Sequence, residues 1–163
     1  MLQLFLFLHV MGAIAVFGPT FAFPVIASQA QKSPQNGPFA AVVSEYIERR
    51  IVIPGAVVQG ITGVGLILIL GADLTSPSYR WLIGGIILYL IAILYAAFVQ
   101  APAAEHMVHL TRGGPPPGPP PAGAPAGPPP EVLATARKLQ RGGMLLSVLI
   151  VAIVILMVTK PGF

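Results

Sequence analysis

His9 sits in the middle of an uncharged apolar run, Leu2-Gln3-Leu4-Phe5-Leu6-Phe7-Leu8-His9-Val10-Met11-Gly12-Ala13-Ile14. An imidazole in such surroundings has three uses. It can ligate haem iron or another metal, relay a proton, or stand neutral and hydrogen-bond to a neighbouring helix. A second group is formed by Glu105, His106 and His109. Glu105 and His109 are four apart and the two histidines three apart, so on a helix they share a face across adjacent turns and could share a metal ion. Polar side chains at a membrane interface account for the same spacing. A fourth ligand would have to come from elsewhere, because the chain contains no cysteine. That also removes thiolate metal sites, iron–sulfur clusters, disulfides and a cysteine nucleophile. There is no GxSxG elbow, no HExxH and no phosphate-cradling glycine loop. No catalytic residue is assigned.

These residues are positioned by elements whose solvent is lipid. Hydrophobic residues make up 55% of the 163 and charged residues only 9%, against roughly 25% charged in a soluble domain. About 20 mostly apolar residues cross the ~30 Å hydrocarbon core as a helix. Four segments meet this, at about 2–26, 51–70, 81–99 and 144–158, and none holds Asp, Glu, Lys or Arg. The expected fold is an all-α, four-transmembrane-helix bundle with short interfacial helices and a proline-rich cytoplasmic loop. A signal-peptide reading of the first segment, cut near Ser28-Gln29-Ala30, is disfavoured because no Lys or Arg precedes the long apolar run.

Seven of the nine Lys and Arg fall between spans one and two or between spans three and four: Lys32, Arg49, Arg50, Arg112, Arg137, Lys138 and Arg141. Only Arg80 and Lys160 lie on the other side. The positive-inside bias then places both longer loops in the cytoplasm and both termini outside. The net charge of +4 reflects this bias and not a nucleic-acid surface. In the first loop, Phe39, Val42, Val43, Tyr46 and Ile47 recur at helical spacing, which predicts a short surface helix feeding span two, loosened at Pro54-Gly55. The second loop contains an insert, 113–130, in which ten of eighteen residues are proline. It cannot build a core and is expected to be an extended, disordered linker.

Helices in lipid associate through small residues and scattered polar groups. At 1.5 Å per residue, His9, Thr62 and Tyr89 lie roughly 10–13 Å from the outer ends of their spans, with Gln59 roughly 18 Å down. An unpaired polar group in hydrocarbon is costly, so His9, Gln59, Thr62 and Tyr89 are expected to face inward as one polar layer. Tyr95 and Ser147 share a deeper level and could pair. Span four, nearly all Leu, Ile and Val, is expected to be the most lipid-exposed. His106 lies roughly 37 Å along span three from Trp81, so it cannot share a haem with His9. A haem b on His9 would need Met157 or a second copy's His9.

Leu8-His9-Val10-Met11-Gly12-Ala13 in span one and Pro54-Gly55 with Gln59, Thr62 and Gly63 in span two carry a resemblance. They resemble the LHxxGA first helix and PG-x3-Q-x2-TG second helix of a bacterial family of small, four-span predicted integral membrane proteins whose domain has no known function. The first helix is more distantly similar to the copper-resistance protein D and membrane-bound protoporphyrinogen oxidase types, the latter binding haem through a first-helix histidine. Only His9 would carry over, and no second histidine lies within a span. The first functional expectation is a structural or accessory membrane component without a cofactor, in a homo-oligomer or larger complex. A His9 haem protein and a small transporter or channel are the alternatives.

Overall fold

Every element of the described residues, 1–112 and 127–161, is helical in the computed structural model of the chain. Of the insert at 113–130, residues 113–126 lie outside the described residues, and its last residue, Pro130, opens the fourth helix. Four rods account for the fold: α1 (Leu2–Lys32), α2 (Gly37–Leu70), α3 (Pro77–Thr111) and α4 (Pro130–Thr159), each long and apolar enough to cross a membrane. At 30 to 35 residues apiece they are roughly 45–52 Å long, well beyond a ~30 Å hydrocarbon core. The excess lies at the end that holds Arg49, Arg50, Arg112, Arg137, Lys138 and Arg141, here called the basic end. The helical pattern at Phe39–Arg49 is present, and it continues into span two as one rod.

The rods run up and down with sequence neighbours adjacent. Toward the opposite, Trp81 end they pack chiefly as two pairs, α1 on α2 and α3 on α4. Toward the basic end the ring closes: α2 meets α3, and α1 meets both α2 and α4. Glycine makes the pairs tight. A methyl on Gly65 would stand 2.5 Å from the Phe5 ring, and one on Gly85 would stand 2.6 Å from Met157 Cε. Close backbone approach is how helices gain van der Waals contact where apolar burial gives little drive.

The large apolar side chains point the other way. Phe39 is 74% exposed, and Val42, Tyr46, Phe98 and Val148 are exposed with it. In lipid this is the favourable surface, so the apolar stripe at Phe39–Ile47 is mostly an outer face. Span four departs from expectation. Gly142, Gly143, Leu146 and Ile150 are buried, because the two glycines admit Tyr95 and Gln100 of α3 on one side and Phe23-Pro24 of α1 on the other. Ser147 donates to its own Gly143 carbonyl at 2.9 Å and does not pair with Tyr95.

At the Trp81 end, α2 stops in a Schellman turn. Gly71 takes the left-handed conformation (φ 60°), with Gly71 N–H on the Leu68 carbonyl and Ala72 N–H on that of Ile67. Asp73 then accepts from the Thr75 hydroxyl and amide at 2.6 and 2.9 Å, and these bonds hold its carboxyl below the usual range. Lys160 lies 5.6 Å over the Trp81 ring and ties the end of α4 to the start of α3.

Candidate functional site

The structure brings three of the four intramembrane polar residues into direct contact. Thr62 donates its hydroxyl proton to the Gln59 carbonyl at 2.9 Å. The Thr62 oxygen therefore accepts from His9 Nδ1, also at 2.9 Å, which places a proton on Nδ1. Gln59 returns across the interface, its Nε2 donating to the His9 carbonyl at 2.9 Å. Gly12 and Gly63 supply the room: a methyl on Gly12 would stand 2.6 Å from Gln59 Oε1, and one on Gly63 3.2 Å from His9 Cε1. Tyr89 joins from α3 by a separate route. Its hydroxyl donates to the Ala56 carbonyl at 2.6 Å and lies over Gly60, where a methyl would come within 2.7 Å. The result is a hydrogen-bonded clamp from α1 to α2, with Tyr89 bridging α2 to α3.

Other combinations are kept apart. Met157 packs on Gly85 between α3 and α4, whereas His9 lies between α1 and α2, so the structure does not bring the two together as axial ligands. Glu105 accepts from Arg49 at 2.7 Å, and Arg49 also contacts Glu45 at 3.2 Å. His106 reaches across to Glu131 of α4 at 3.1 Å. Glu105 and His106 thus have other partners than each other. Among the described residues no three His, Cys, Asp or Glu side chains group closely enough to hold a metal ion. These pairs are half-exposed, where an ion pair contributes roughly 0–1 kcal/mol.

One residue carries no motif in the sequence and stands out only in the fold. Glu48 is only 2% exposed, and neither carboxylate oxygen has a hydrogen-bond partner among the described residues. It opens a five-residue π-helical stretch, Glu48–Val52, closed by the Ile53 N–H on the Glu48 carbonyl. A matching stretch, Ala96–Gln100, closes with Ala101 N–H on the Ala96 carbonyl and ends in buried Gln100. Each stretch is followed within two residues by a proline, Pro54 or Pro102. Proline has no N–H for the preceding turn, and a widened turn absorbs the loss.

Glu48 and Gln100 line one cavity of about 710 Å³ at the basic end, walled by all four helices. Phe23 and Ile26 of α1, Met107 of α3 and Leu139 of α4 give it an apolar lining. A faint signal for Glu48 exists: Ala41, Ser44, Glu48, Val52, Ala56 and Gln59 step by three or four along one helical face. It is masked because large apolar residues dominate the helical pattern, and here those face lipid.

The comparison with curated proteins and the comparison with solved structures each give no match. The family described as predicted integral membrane protein (DUF2269) matches residues 3–161. That match covers the clamp, the cavity and all four rods, and the chain belongs to this family of predicted integral membrane proteins.

Proposed function

We propose that the chain is a non-enzymatic accessory or structural component of a bacterial plasma membrane, working as a homo-oligomer or within a larger membrane assembly. The observation that carries this reading is the clamp. The His9 Nδ1–H, the Thr62 hydroxyl, the Gln59 amide and the Tyr89 hydroxyl all bond to neighbouring helices or to backbone. Such bonds hold a bundle in register. In this reading the basic end is cytoplasmic and both termini are outside, in keeping with the positive-inside bias.

One observation favours a second reading, haem ligation by His9. The Thr62 bond engages Nδ1 and not Nε2, and a hydrogen bond on the far nitrogen is how ligating histidines are commonly oriented. A visible absorption spectrum of the detergent-purified protein separates the two. The accessory reading expects no Soret band after expression with ample haem. It also expects His9→Asn, which keeps an N–H near the Nδ1 position, to melt within a few degrees of wild type. A Soret band lost in His9→Ala would overturn the accessory reading in favour of haem.

A further inference from the structure

The basic-end cavity joins an apolar wall to a buried acid with nothing to neutralise it. Glu48 is 2% exposed and both its oxygens lack a partner among the described residues. The stretch Gly18–Ala22 of α1 packs against Glu48–Val52. It carries Thr20, 1% exposed, whose hydroxyl is likewise without a partner. Gln100 donates through Nε2 to the Leu139 carbonyl at 3.1 Å. This fixes the amide orientation, since the reverse would set two oxygens against each other, and leaves Oε1 as an acceptor. Thr20 itself does not line the cavity; of the lining polar groups, only Glu48 is a carboxylate.

The protein's own cations are placed elsewhere. Arg49 is bound to Glu45 and Glu105, and Arg50 points outward as an exposed residue. Of the four glutamates at this end, Glu45, Glu105 and Glu131 each have a basic or histidine partner, and among the described residues only Glu48 does not. An isolated carboxylate in apolar surroundings is heavily penalised unless it is paired or protonated. A bare metal cation fits poorly, because it would need several oxygen ligands and would leave the apolar wall unfilled. An N–H-rich, positively charged head on an apolar body meets both features.

We propose that this cavity binds an amphiphilic amine, its apolar body between the four helices and its protonated nitrogen paired with Glu48, whose carboxylate, enclosed in the wall of the empty cavity, turns toward the ligand on binding. The site commits to a single amine on a chain or ring system that fits about 710 Å³, a size typical of small-molecule pockets.

The test uses the detergent-purified full chain and tritiated dodecylamine, read by scintillation proximity. Wild type should bind saturably. Unlabelled dodecylamine should displace the label, whereas dodecanol and dodecanoate, with the same body and no cation, should not. Glu48→Gln should weaken binding by about tenfold or more, the usual scale for losing a charge-assisted hydrogen bond. Ala136→Phe, which fills the cavity from α4 and leaves Glu48 in place, should abolish it. His9→Asn, in the clamp, should bind as wild type does, so this site stands or falls apart from the reading of His9. Displacement by a short-chain phosphatidylethanolamine would identify a lipid headgroup as the source of the amine, and its failure a free amphiphile. Unchanged binding in Glu48→Gln, or displacement by dodecanol or dodecanoate as effective as by dodecylamine, would overturn the proposal. Should Glu48→Gln not fold, the competitor series on wild type together with Ala136→Phe decides the matter.

Discussion

A polar atom in hydrocarbon has no water to turn to, so each one here must find a partner or a reason to lack one. Tyr89 shows how narrow the solution is. Its hydroxyl reaches the Ala56 carbonyl because Gly60, one turn on, has no side chain to block it. Gly60→Ala places a methyl 2.7 Å from that oxygen. The expected loss is roughly 1 kcal/mol, since an interhelical hydrogen bond in a membrane averages about 0.6 and some packing goes with it. That corresponds to a fall of roughly 2–4 °C in Tm for a chain of this size. The obstacle is the hydroxyl itself, so Gly60→Ala should cost clearly less in a Tyr89→Phe background. Equal costs in both backgrounds, measured by thermal melting in detergent, would contradict this geometry. Depth along each span puts His9, Thr62 and Tyr89 at a common level, because rise per residue is fixed. It does not reveal that Tyr89 bonds to backbone, because a carbonyl left open beside a glycine makes no mark in side-chain spacing.

At the scale of the element, the four-rod pattern is legible in the sequence because long uncharged apolar runs fit almost nowhere but in lipid. The inward faces are harder to read. In water the large apolar residues mark the core, but in lipid they mark the outside, and Ala41, Ser44 and Glu48 are the inner face of α2. The π-helical turns are hidden for another reason. Pro54 and Pro102 announce a disturbance, but whether it becomes a kink or a widened turn depends on packing. A π turn amounts to one extra residue in an α-helix. Deleting lipid-facing Ile51, inside Glu48–Val52, should restore a regular helix with both flanking faces in register. The expected protein is folded, with a Tm within a few degrees of wild type. Inserting an alanine at the same point instead rotates the preceding segment by roughly 100°. This should swing Glu48 out of the cavity and part Arg49 from Glu105, with a much larger loss of folded protein on gel filtration. A deletion as damaging as the insertion would mean that the widened turn is required for folding.

For the molecule as a whole, rod length and charge together set its position in the bilayer. Lys160 over Trp81 marks one interface, since paired aromatic and basic groups favour the headgroup level. Counting ~20 residues inward, the length that spans the hydrocarbon, reaches about Gln100 on α3 from Trp81 and about Ile51 on α2 from Leu70. The first charges, Arg50 and Arg49 on α2, Glu105 on α3 and Arg141 on α4, appear about at or just past this limit. The clamp therefore lies within the hydrocarbon, whereas the cavity lies at and beyond its basic-end boundary. The chain has no native cysteine, so single substitutions can map this without background. Phe98→Cys is at a strongly exposed position inside the counted span and should resist a water-soluble thiol reagent from either side. Ser78→Cys, in the short 3-10 turn that opens α3, should label on intact cells with an impermeant reagent. His109→Cys, exposed and two turns past Gln100, should label only in inverted vesicles. Labelling of His109→Cys on intact cells with Ser78→Cys protected would show that the positive-inside assignment is inverted. Ready labelling of Phe98→Cys would move the boundary instead: the hydrocarbon would begin nearer Trp81 than the count allows, and the cavity would stand wholly in water.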